Sequence, residues 1–184
     1  RIIKHLRARF GLFFNPYYAL RTSGPILSFL QRESYLCYKK NPPLLDQLQQ
    51  KIVADLKQSG IAITKLAELF PEKNILPELQ ENAELLLKDA PLGRKKQFLK
   101  YAWGDHPVLE LENPIIKIAL EPRVVNIANA YLELYSKFSF FSLNTTIPQN
   151  EEVEQKGSQR WHRDPGINKV CKMFIYLSDV SDQG

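Results

Sequence analysis

Apolar residues recur along this chain at two periods, three to four residues over most of its length and two near its end. Ile2, Ile3, Leu6, Phe10, Phe13 and Phe14 stand near helical spacing with Arg1, Lys4, Arg7 and Arg9 among them, which predicts a basic amphipathic helix. Asn41-Pro42-Pro43 offers a cap and a proline for the first helical position. Leu45, Leu48, Ile52 and Leu56 then form one apolar face that Gly60 stops. Ile61-Ala62-Ile63 is a short strand candidate. Lys65 to Phe70 predicts a helical turn closed by Pro71. Leu79, Ala83, Leu86 and Leu87 predict a helix starting near Pro77, whose missing N–H costs nothing there.

Between Gly93 and Leu111 the pattern suits short strands or irregular connections, at Lys95 to Tyr101 and at Val108 to Leu111. Val125, Ala128, Tyr131, Leu132 and Tyr135 restore the helical period over Pro122 to Ser136. The period then switches to two. From Phe138 to Ile147 one face carries Phe138, Phe140, Ser142, Asn144 and Thr146, and the other Ser139, Phe141, Leu143, Thr145 and Ile147. The second face is the better core set at its far end, which turns Asn144 toward a lumen. Gln149 to Gln159 is a polar, acidic loop, and Val170 to Leu177 is a strand-like apolar run.

A chain of 184 residues forms one domain, or one domain with a helical extension. The division expected here is a basic extension over 1–43 and a second part over 44–184. A hydrophobic share of 44% with ten Phe is ample for a core. The net charge of +5 gathers in the first forty residues and in Arg94-Lys95-Lys96, without any nucleic-acid reading motif, so it reads as a solvated surface. For the basic start two uses stay open, a helix lying on an anionic membrane surface and a helix packed on its own domain. No stretch has membrane-spanning length, and the start lacks the features of a signal peptide. Cys37 and Cys171 stand far apart with no Cys-x-x-Cys pair, which points to reduced thiols and a cytoplasmic setting.

The chemistry concentrates in Arg160-Trp161-His162-Arg163-Asp164, followed by Pro165-Gly166. On a strand, His162 and Asp164 project to one side and can reach a single metal ion, while Arg163 between them points away. An imidazole and a carboxylate, completed by a second imidazole, form the facial triad that holds Fe(II) and leaves positions open for co-substrate and dioxygen. A bare His-x-Asp also arises by chance, so its surroundings carry the weight.

Those surroundings, Trp161 to Gly166 and then Lys172 to Val180, resemble the phytanoyl-CoA hydroxylase-like family of Fe(II)/2-oxoglutarate-dependent dioxygenases. The close part runs from about Phe138 to Gly184, with a looser likeness in helix order back to about Leu44. The resemblance implies an α+β protein, in which N-terminal helices precede a double-stranded β-helix of the jelly-roll, cupin-like kind. It also implies that a small organic substrate is hydroxylated, with Fe(II) as cofactor, and 2-oxoglutarate and dioxygen as co-substrates. A carboxylate at Asp164 favours hydroxylation over halogenation, since family relatives that halogenate lack it. In that family a second metal-binding His and an Arg for the distal carboxylate of 2-oxoglutarate follow several tens of residues later. No His or Arg follows Asp164 here, and the chain opens on Arg1, so it is expected to be the front part of a longer enzyme.

Four further residues are candidates for co-substrate or substrate contact: Lys172, whose cation suits a distal carboxylate, and Asn144, Trp161 and Phe174. Each has a plainer use, Lys172 as a solvated edge residue and the others as packing. His106, before Pro107, and His5 read as exposed or structural. The Gln149–Gln159 loop is either an active-site cover or a hairpin connection. Two other functions share the barrel, a non-catalytic binding module and a cupin-like metalloenzyme such as an isomerase.

Overall fold

The computed structural model describes residues 23–88, 90, 98–102, 110–147 and 169–179. In order these form α1 (Gly24–Leu30), α2 (Arg32–Lys40), α3 (Gln47–Ser59), α4 (Leu66–Leu69), α5 (Ile75–Leu87), β1 (Leu99–Tyr101), α6 (Pro114–Ala119), α7 (Pro122–Leu132) and β2 (Asn144–Thr146). The protein is mostly helical, with one small antiparallel sheet among the described residues, an α+β composition. No helix among them is long and apolar enough to cross a membrane. The basic helix expected over Ile2 to Phe14 lies outside the described residues.

The apolar face expected on α3 is the one the fold uses. Ile52 and Val53 are buried, and Leu45, Leu48 and Leu56 pack against the same core. Gly60 ends the helix in the left-handed region at φ 78°, where a Cβ would be strained. The start is corrected. Asp46, and not Asn41, caps α3, because Asp46 and Gln49 satisfy each other's backbone N–H groups through their side chains, both at 2.9 Å. Asn41 instead closes α2, its N–H donating to Cys37 O at 3.0 Å, and Pro42-Pro43 follow that stop.

Gln49 is also the polar joint between α3 and α7. Its amide Nε2 donates to Arg123 O at 3.0 Å, and the Arg123 guanidinium pairs with Asp46. Around this joint the core gathers Leu69 and Phe70 from α4 and its end, Ile75 and Leu79 from α5, Ile118 from α6, and Ile127 and Ala130 from α7. Pro77 stands in the first turn of α5, which begins two residues before it, so its missing N–H is harmless. The spacing of apolar residues does not announce α6. Asn113 accepts from Ile115 N at 2.9 Å as its cap, Pro114 opens it, and Ile116 is completely buried at 0% exposure.

α7 is shorter than the apolar period predicts, ending at Leu132 with Glu133 left-handed at φ 60°. The buried Asn129 side chain enforces the turn, its Oδ1 accepting from Ser136 N at 2.8 Å and from Ser136 Oγ at 2.7 Å. Tyr135 then ties α2 to this turn, donating its OH to Asn41 O at 2.7 Å and setting its ring edge-on to Tyr38.

Three strand expectations are narrowed. β1 and β2 pair Leu99 with Thr146, Lys100 with Thr145 and Tyr101 with Asn144, and Ile147 N and Ala102 N add bonds to Phe98 O and Leu143 O. Over Phe141 to Ile147 the alternation holds except at Thr145: Leu143 is buried and Phe141 and Ile147 half-buried, while Ser142, Asn144 and Thr146 are exposed. Ile61 to Ile63 joins no sheet among the described residues, and only Ala62 packs on the core while both isoleucines stand exposed. Glu110 and Leu111 lie in a turn closed by Asn113 N donating to Glu110 O, not in a strand.

In urea titrations Leu79→Ala, at a position 1% exposed, is expected to cost about 2–5 kcal/mol. Gln49→Leu strands the Asp46 N–H and the Arg123 carbonyl and should cost about 1–3 kcal/mol. Ile63→Ser, at an exposed position, should shift stability by less than about 0.5 kcal/mol.

Candidate functional site

Residues 169–179, which follow the His-x-Asp motif, are held at two points. Lys169 Nζ donates to Tyr131 O at 2.6 Å and sits 4.5 Å from the centre of the Tyr131 ring. A cation fits there because the last carbonyls of a helix lack partners and carry partial negative charge. Further along, Leu177 O accepts from Gln80 Nε2 of α5 at 2.8 Å. No strand pairing involves this stretch among the described residues, so its own Lys169 side chain on α7 and the Gln80 side chain of α5 do the holding.

Between the anchors, burial alternates as in an extended chain. Cys171, Ile175 and Leu177 are half-buried, and the last two pack against the helical core. Lys172, Phe174 and Tyr176 are exposed on the opposite parity, Phe174 to 75%. Lys172 and Phe174 thus share one side, as the period-two pattern expects. Met173 has the inward parity and is nevertheless exposed. Asn144 stands on β2 opposite Tyr101, also exposed.

Trp161, His162 and Asp164 lie outside the described residues, as do Arg163 and the Gln149–Gln159 loop. His5 and His106 do too, so none of the chain's three histidines is among them. Among the described residues no group of three or more His, Cys, Asp or Glu is placed to hold a metal ion. The donor set of the motif, one imidazole and one carboxylate, suits Fe(II) by its chemistry. Burial pushes the Cys171 thiol up, which keeps it protonated at neutral pH.

Two features here are not announced by periodicity. Gln80 follows the buried Leu79 directly, at the edge of the α5 apolar face, and Lys169 immediately precedes the apolar run it anchors. A separate open groove of about 230 Å³ is lined by Leu69, Phe70, Pro71, Lys73, Glu121 and Arg123, together with Glu72. Its charges largely answer one another, Lys73 pairing with Glu121 and Arg123 with Asp46, which leaves little to bind a charged ligand.

Compared with protein-family models, with curated proteins and with solved structures, the chain finds no match.

Burial of one thiol and exposure of the other predict a difference in reactivity. Mass mapping after brief iodoacetamide treatment near neutral pH should show Cys37 modified at least about tenfold faster than Cys171. The gap should close in denaturant, and equal rates in the folded protein would contradict the packing of Cys171.

Proposed function

We propose that this chain belongs to a non-haem Fe(II)/2-oxoglutarate-dependent dioxygenase that hydroxylates a small organic substrate. The observation that carries the proposal is the sequence from Arg160 to Asp164 with its Pro165-Gly166 stop and the apolar run after it, which resembles the phytanoyl-CoA hydroxylase-like family. The double-stranded β-helix of that family is the finer architecture proposed, and a cytoplasmic setting goes with it. The alternating burial of Cys171, Lys172, Phe174, Ile175, Tyr176 and Leu177 supports the proposal, since a strand following the metal ligands needs one face on the helical layer and one turned outward.

His162 would give a ring nitrogen and Asp164 a carboxylate oxygen to Fe(II). A second imidazole would complete the ligand set, as in the family resembled. When bound, iron, 2-oxoglutarate and dioxygen would supply the oxidising chemistry that turns a C–H bond into an alcohol, one oxygen atom of dioxygen going to the alcohol and the other to succinate, with carbon dioxide released. The chain's own residues orient the reactants. The outward parity shared by Lys172 and Phe174 lets one side of a single segment offer a cation to a carboxylate and an aromatic face to an apolar group. The anchors at Lys169 and Leu177 hold that side in place.

His162→Ala and Asp164→Ala are each expected to lower Fe(II)-dependent succinate formation at least about 100-fold and to weaken Fe(II) binding measured by calorimetry. His106→Ala should leave both within about threefold. Undiminished turnover in His162→Ala removes the proposal. Tight 2-oxoglutarate binding with no turnover in the parent protein replaces the enzyme by a binding module on the same barrel.

A further inference from the structure

α1 and α2 form an arm with a free side. Hydrogen bonding runs almost unbroken through Gln31, whose N–H donates to Leu27 O and whose carbonyl accepts from Tyr35 N. Neither helix contributes a buried residue. Half-burial falls on Ile26, Leu27, Ser34 and Tyr38, of which the last three share one side at about 100° per residue. That side is the one docked on the turn after α7, through Tyr38 against Tyr135 and Tyr135 N donating to Ser34 O.

The opposite side carries Phe29, Leu36 and Lys40, with Arg32 and Lys39 along one flank, while Leu30, exposed at the end of α1, lies nearer the docked side. Phe29 is 76%, Leu30 68% and Leu36 49% exposed, an unusual cost for three large apolar side chains on one arm. The charge is segregated to match. Residues 1–43 hold eight Lys and Arg against one acidic residue, a net of +7, while the other 141 residues carry −2. Exposed apolar side chains interleaved with cations, on a strongly basic segment ahead of a near-neutral body, fit a surface that is apolar at shallow depth and anionic above it.

We infer that the α1–α2 arm docks on the surface of an anionic phospholipid bilayer, with Phe29, Leu30 and Leu36 entering the headgroup boundary and Arg32, Lys39 and Lys40 meeting lipid phosphates. The inference is independent of the dioxygenase proposal, because it uses none of the residues near His162. A second copy of the chain is a poorer occupant, since two such arms bring like charges together. Nucleic acid would leave the three apolar side chains in water.

The test is co-sedimentation of the full chain with phosphatidylcholine vesicles, plain or containing about 30% phosphatidylglycerol. Binding to the anionic vesicles is expected, with little to the plain ones and a sharp fall in about 0.5 M NaCl. Arg32→Gln/Lys39→Gln/Lys40→Gln should weaken partitioning on the order of 100-fold, at about fivefold per charge removed. Phe29→Ser/Leu36→Ser should weaken it on the order of tenfold. All five positions are exposed, and an unchanged far-UV circular dichroism spectrum establishes that the variants fold. The inference is overturned by absence of binding to anionic vesicles, or by binding that neither variant weakens. It is equally overturned by self-association that Phe29→Ser/Leu36→Ser abolishes, or by capture on a DNA oligonucleotide without vesicle binding.

Discussion

The helical body depends on the crossing of α3 and α7, and that crossing is built on one buried amide. Gln49 accepts from the backbone of Asp46 and donates to the backbone of Arg123, while Asp46 and Arg123 pair by charge just outside it. A buried amide tolerates few geometries, because each donor or acceptor left unsatisfied costs about 1–3 kcal/mol, more than an ordinary hydrogen bond contributes net. The apolar side chains of α3 could slide along α7 with little loss. The amide removes that freedom, so the register of Ile52 and Val53 against Ile127 and Ala130 follows from it.

From this crossing the rest of the molecule is placed outward. α6 leads into α7 and brings Ile116 and Ile118 beneath it, α5 lies alongside, and residues 169–177 are stitched to both α7 and α5. The stretch that follows the candidate motif therefore adjoins the helical core. Its exposed side holds Lys172, Phe174 and Tyr176, and its half-buried side continues the core.

Local patterns were the most readable part of the chain. The apolar face of α3, the stop at Gly60, the buried positions of α5 and the alternation around Leu143 all follow from periods of 3.6 and two. What the patterns hide is competition and distance. Asn41 and Asp46 are both good caps, and the reciprocal bond available to Asp46 through Gln49 decides between them. Three isoleucines within Pro114–Ala119 show no clear face, because α6 is covered on most sides. The partnership of Gln49 with Arg123 spans 74 positions and leaves no periodic trace. Of the candidate site, His162 and Asp164 lie outside the described residues, while the shared side of Lys172 and Phe174 was legible from parity alone. The anchors Lys169 and Gln80 were not, since each is an ordinary polar residue until the fold brings it a carbonyl.

The link between arm and body rests largely on Tyr135. Two hydrogen bonds and one ring edge join α2 to the turn after α7, whereas the body is closed by a dozen buried apolar side chains. Local opening draws on the weakest cooperative unit first. The arm can therefore peel away while the body stays native, which makes this a two-tier molecule. Among the described residues, the amide protons of α1 and α2 should exchange faster than those in the middle of α3 and α7.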